Sequence, residues 1–226
     1  MIRSPMHQTR PSRGFTLIEL MIALVLGLLI IGATVTVFIS NQQTSRVKTE
    51  LGNAQEAFRF ASQTIMRVVQ QGSAIQDPGS ESALADQVDQ PLLQVVVPPG
   101  DGRMDCFGIP VAPLDRVINI FSINDDGELL CRVVMVDEDA NETYEEAVLV
   151  EGLDRLGSKF TFGVANVVDG YWKNTDSWDE AGDVDADDWR NVRSVRVELA
   201  KQSGGAAIGA TAIFSATMRC GALDIC

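Results

Sequence analysis

Histidine is almost missing from this 226-residue chain, occurring once as His7. Cysteine occurs four times, as Cys106, Cys131, Cys220 and Cys226, and never in a Cys-x-x-Cys spacing. That argues against a thiolate metal site. Neither type of glycine-rich phosphate loop is present. Basic residues are outnumbered, with 18 Lys and Arg against 31 Asp and Glu and a formal net charge of −13. A chain of that sign repels a phosphate backbone, which argues against nucleic acid as a partner. No proline occurs between Phe15 and Gln71, and no acid precedes Glu19. The first absence permits one uninterrupted helix. The second leaves Arg3, Arg10 and Arg13 as a purely basic start.

Directly after that basic start the chain turns apolar. GFTLIELMIALVLGLLIIGATVTVFIS runs from Gly14 to Ser40 with one charged side chain, Glu19. About 20 such residues cross a bilayer as a helix. A carboxylate within lipid costs roughly 3 kcal/mol on insertion scales, so Glu19 calls for a role or a partner. From Val47 the pattern changes. Val47, Leu51, Ala54, Phe58, Ala61, Ile65 and Val68 recur at spacings of four and three, one face of a helix. The segment reads as one long helix of about 80 Å at 1.5 Å per residue. Its first half (15–40) spans the membrane and its amphipathic second half (41–72) lays a stripe on a globular domain (73–226). The stripe is too short to form a coiled-coil seam by itself. The basic start keeps the N-terminus cytoplasmic and places the domain in the periplasm, where disulfides form. Four cysteines allow three pairings; nearest neighbours in sequence favour Cys106–Cys131 and Cys220–Cys226.

The start resembles the signal of type IV prepilins and pseudopilins: a short basic leader ending in Gly14, then Phe15, then Thr16-Leu17-Ile18-Glu19-Leu20. The resemblance implies that residues 1–14 are a leader. A prepilin peptidase would cut between Gly14 and Phe15 and methylate the Phe15 amine, and Glu19 would pair with a neighbouring N-terminal amine during assembly. Removing the leader removes His7 and leaves 15 basic residues against 31 acidic ones. Without histidine, Ser-His-Asp and Cys-His catalysis are excluded, and no enzyme is expected.

Beyond the helix, Asp77-Pro78-Gly79-Ser80 reads as a turn within a loop to about Gln90, with a short helical turn over 82–88. Strands are expected at Leu92–Val97, Val117–Ile123, Glu128–Val136, Lys159–Val164, Val192–Leu199 and Thr211–Arg219, with Asn124-Asp125-Asp126-Gly127 as a hairpin turn. Asp169–Asp188 reads as a polar, acidic loop. The VEGLDRL segment and the Trp189, Val192, Val195, Arg196, Val197 pattern resemble the C-terminal half of the PilW family of minor pilins. J-type pseudopilins of type II secretion share the plan.

The acidic loop holds Asp176, Asp179, Glu180, Asp183, Asp185, Asp187 and Asp188. Asp183, Asp185 and Asp187 have the alternate spacing of a calcium loop. The match then fails: Asp188 stands where glycine is needed and Ser194 where a bidentate Glu is needed. A solvated loop is the competing reading, and calcium is the one cofactor option. Trp189, beside the alternating strand, is expected in the core; Trp172 and Trp178 are open between core and partner contact.

The expectation is an α+β, pilin-like fold, the long helix packed on an antiparallel β-sheet of several strands, with a split into two subsheets left open. Function follows the resemblance: a PilW-like minor pilin that helps initiate type IV pilus assembly in a priming or tip complex. Its partners would be other minor pilins, the major pilin, prepilin peptidase, the inner-membrane assembly platform and membrane lipid. It would be a single-pass inner-membrane protein before joining the pilus. The alternatives are a J-type pseudopilin and, in another class, a membrane-anchored periplasmic module that binds a cation or ligand.

Overall fold

A chain with no proline over 57 residues and few glycines has little to stop a helix. The computed structural model shows α1 running over Leu17–Gln71. It describes residues 14, 16–79, 91–100, 102–112, 116–136, 142–168, 171–174, 177–201 and 210–219. Threonines within α1 return their hydroxyls to the helix backbone: Thr34 to the Ile31 carbonyl and Thr36 to the Ala33 carbonyl, both at 2.8 Å. These bonds satisfy polar groups on an otherwise apolar segment.

The chain divides into two compact units, Met1–Thr49 and Glu50–Cys226. In the second, helical burial begins at Ala54 and continues through Phe58, Ala61, Thr64, Ile65, Val68 and Val69. Leu51, on the same helical spacing, is 43% exposed. Helical spacing identifies a face but not how many turns of it a domain covers.

The β structure is two antiparallel sheets. The first is a meander in chain order: β1 (Ala74–Gln76), β2 (Pro91–Val97), β3 (Arg116–Ile123), β4 (Leu129–Val136) and β5 (Glu142–Val150). The second has β6 (Lys159–Val168), β7 (Tyr171–Asn174), β9 (Val192–Ala200) and β10 (Thr211–Thr217) in the order β10-β9-β6-β7, with β8 (Asp179–Glu180) also pairing with β6. Three regions depart from the sequence reading. β1 occupies what reads as loop; β5, over Glu142–Val150, is a strand where the sequence reading assigns none. The acidic segment contains β7 and β8 and so is not one loop. β1 and β8 exist because a longer strand distant in sequence supplies their hydrogen bonds, whereas β7 pairs with β6 across a connection of two residues. The helical turn expected over 82–88, and Cys220 and Cys226, lie outside the described residues.

One hydrophobic cluster joins the helix to both sheets, through Ile65 and Val68, through Leu93, Val95 and Phe121, and through Phe162, Val195 and Val197. β3 is buried on both faces. Val117, Phe121 and Ile123 join the main cluster, while Ile118 and Ile120 form a second one with Val96 and Val134. The Val-Glu-Gly segment links the sheets. Gly152 turns the chain at φ +75°. Leu153 N–H then donates to the Gly127 carbonyl at 2.7 Å, and Asp154 N–H to the Ala200 carbonyl at 2.8 Å. Arg155 adds an ion pair to Asp125 in the hairpin turn.

Candidate functional site

Thr16 and Glu19 stand three residues apart at the start of α1, the spacing of a capping box. Glu19 N–H donates to Thr16 Oγ1 at 3.3 Å, and the Thr16 hydroxyl reaches Glu19 Oε2 at 3.4 Å. Glu19 N–H and Leu20 N–H also reach the Thr16 carbonyl. The acid is thus placed in the first turn, where the helix dipole favours negative charge. No cation pairs with it among the described residues. Gly14 is exposed and open, with no atom near the position a Cβ would take. Phe15 lies outside the described residues.

From Leu17 to Ile39 every large apolar side chain is exposed. The most apolar window of α1 has 0% of its residues buried, and by length and composition this helix can cross a membrane. An uncovered apolar face of this extent is unstable in water and marks a lipid or protein environment.

The other sequence-derived sites separate. Cys106 and Cys131 are joined by a disulfide across 25 residues. Asp183, Asp185 and Asp187 are exposed, while Val184 between the first two turns inward. Among the described residues no group of three His, Cys, Asp or Glu side chains is arranged to hold a metal ion. The alternate spacing that suggests calcium therefore does not bring these three carboxylates together. The chain here bends through a 3-10 turn at Ala181–Asp183 and a second at Trp189–Asn191, with no single cation-wrapping loop. Trp189 is buried edge-on against Phe162, ring centroids 4.9 Å apart. Trp178 is half-buried. The Thr16 cap was legible as Thr-x-x-Glu but is easily missed inside an apolar run.

A family model described as the prokaryotic N-terminal methylation motif matches residues 9–35. The chain carries a prepilin-type start. No curated protein and no solved structure matches it. The matched segment holds Gly14, Phe15, the Thr16–Glu19 cap and most of the exposed apolar run. It supports a pilin- or pseudopilin-type role, processing by a prepilin peptidase and assembly with other pilin-type subunits. With the apolar helix it supports anchoring through a single N-terminal span. A pilin-type start suggests a structural protein.

Proposed function

We propose that the chain is a type IV minor pilin of the PilW kind, acting in the initiation of pilus assembly within a priming or tip complex. Residues 1–14 are the leader. The peptidase cuts between Gly14 and Phe15 and methylates the new amine. Residues 15–40 anchor the protein in the inner membrane, and 41–72 continue the helix into a periplasmic domain over 73–226. Assembly moves the apolar helix from lipid into a shared protein interior. Glu19 then gains a cationic amine from a neighbour, which offsets the cost of keeping a carboxylate out of water.

The observation that carries this reading is the methylation motif over residues 9–35, with Glu19 capped in the first turn of a helix whose apolar surface is uncovered. The VEGLDRL and Trp189–Val197 resemblances favour PilW over a J-type pseudopilin. Mass spectrometry of the membrane-extracted protein tests the class. The expected mature N-terminus is N-methyl-Phe15, and a chain that still begins at Met1 would sink the reading. Deletion of the gene then separates the machines: lost piliation fits the minor pilin, and lost secretion with normal pili fits the pseudopilin.

A further inference from the structure

An acidic chain should pair its few arginines with its many carboxylates. Arg59, Arg132 and Arg155 obey, each bonded to an acid. Most of the other described arginines have no described ion pair, and three of them, Arg67, Arg103 and Arg219, converge on one cleft of about 750 Å³ beside the C-terminal end of α1, together with Gln63, Gln70 and Gln71. Among the described residues no Asp or Glu lines it.

Neutral backbone holds two of these guanidiniums in place. Arg67 Nη2 donates to the Asp105 and Cys106 carbonyls, both at 3.2 Å. Arg103 Nη1 donates to the Pro98 and Pro99 carbonyls at 3.2 and 3.1 Å. Neither bond neutralises charge, and among the described residues each arginine keeps donors unspent. Arg67 Nε is shielded from solvent with no hydrogen-bond partner among the described residues. Arg219 is exposed, and its side chain makes no described bond; only its backbone N–H is engaged, with the Gln70 carbonyl at 3.4 Å. Asp105, whose carbonyl accepts from Arg67, is buried and spends Oδ1 on the backbone N–H groups of Phe107 and Ile109. The helix end does not consume the arginines either: the Val68 and Val69 carbonyls accept from Gly72 N–H.

The cleft wall is built to stay. Met104 N–H donates to Gln71 Oε1 at 2.9 Å, Cys106 N–H donates to Asn119 Oδ1 at 2.8 Å, and the disulfide ties Cys106 to β4. Two planar cations held by backbone carbonyls, with the exposed Arg219 on the same cleft, match a row of carboxylates, which guanidinium binds in bidentate fashion.

We propose that this cleft receives an acidic segment of a partner protein, whose clustered carboxylates supply the counter-charges that this chain withholds from Arg67, Arg103 and Arg219. A phosphate polymer is disfavoured by the net charge of −13, whereas a short acidic segment presents its charge only at the cleft. The inference does not depend on the pilin reading, since it concerns residues beyond the matched motif.

The test uses the full chain in detergent and a fluorescent peptide, Asp-Glu-Ala-Gly-Asp-Val-Asp-Ala-Asp-Asp, the sequence of residues 179–188 of this chain, as a stand-in for the acidic segment of a partner. Anisotropy should show binding that weakens with salt. It should fall by about tenfold or more in the Arg103→Gln/Arg219→Gln double variant. Arg67 is left unchanged because it is embedded, and an unchanged melting temperature in the double variant shows that the fold is intact. The all-amide peptide should not bind. No binding, equal binding by the amide peptide, or equal binding by the double variant overturns the proposal. Inorganic phosphate that binds as tightly as the peptide and displaces it would also overturn it, in favour of a small-anion site.

Discussion

Gly127 closes the β3–β4 hairpin at φ +74°, a conformation that ordinary residues rarely adopt. A Cβ there would run into the Leu153 carbonyl, whose residue also donates its N–H to the Gly127 carbonyl. Gly127→Ala should therefore cost roughly 3 kcal/mol, summing backbone strain and the clash. Gly182 is a fair control, with nothing within 4 Å of its Cβ position. Gly182→Ala should stay within about 0.5 kcal/mol of the parent. Thermal denaturation of both variants checks the pair, and equal losses would refute the close approach at Gly127. Glu19 poses the opposite problem, since its side chain is exposed and bonded only to Thr16 among the described residues. Glu19→Gln keeps the size and removes the charge. It should leave membrane insertion intact and strongly reduce filament assembly. Normal piliation in that variant would show that the charge has no part in assembly.

At the scale of elements, the segment between β2 and β3 depends on its attachments. It carries Arg103, Met104, Asp105 and Cys106, contains only an isolated bridge between Met104 and Pro110 among the described residues, and is held by the helix end, by Asn119 and by the disulfide. Closing a loop of 25 residues removes unfolded-state entropy worth about 3 kcal/mol in the chain-entropy model. Replacing both Cys106 and Cys131 by Ala should lower stability by about that amount, read as a lower denaturant midpoint, with a steeper slope because the unfolded chain is less compact. A midpoint within error of the parent would mean that the hydrogen bonds alone hold the segment. Asn119 shows why. It lies in the core-facing row of β3 at 0% exposure, a poor place for an amide, yet its Oδ1 receives the Cys106 N–H. The buried amide and the disulfide secure the same residue from two sides.

At the scale of the molecule, every buried helical residue lies at or beyond Ala54, and the main core cluster lies wholly within Glu50–Cys226. The apolar run contributes nothing described to that core. A chain beginning at Ser45 should therefore fold in water with its Cys106–Cys131 bond formed, giving a cooperative melt by circular dichroism. Aggregation, or a melt without cooperativity, would show that the domain needs the upstream helix.

Much of this was legible in the chain order of residues. An apolar run with one acid, a basic start and no proline needs no tertiary context, because lipid imposes its demands on each residue in turn. The same holds for the hairpin at Asn124–Gly127 and for the alternation of Val195, Val197 and Leu199, where local geometry and one-sided burial leave a period of two. The extent of the covered stripe was not legible. Leu51 has the same spacing as Ala54 and Phe58, yet it is 43% exposed while those two are buried in the core cluster. Neither were β1 and β8, whose hydrogen bonds come from longer strands distant in sequence; β7, by contrast, follows β6 across Asp169-Gly170, a local hairpin signal the sequence reading passed over. The failure of Asp183, Asp185 and Asp187 to converge has the same origin: spacing sets which residues alternate, but the turn of the backbone decides where their side chains meet. The arginine cleft is the extreme case. Arg67, Arg103 and Arg219 are 36 and 116 residues apart in sequence, and no local pattern joins them. The sequence alone determined the anchor, its processing motif and the α+β class, because each rests on neighbours along the chain. Only the tertiary structure decided the two-sheet core and the gathering of unpaired cations, because each depends on long-range contacts whose closure entropy is offset only when the whole domain packs.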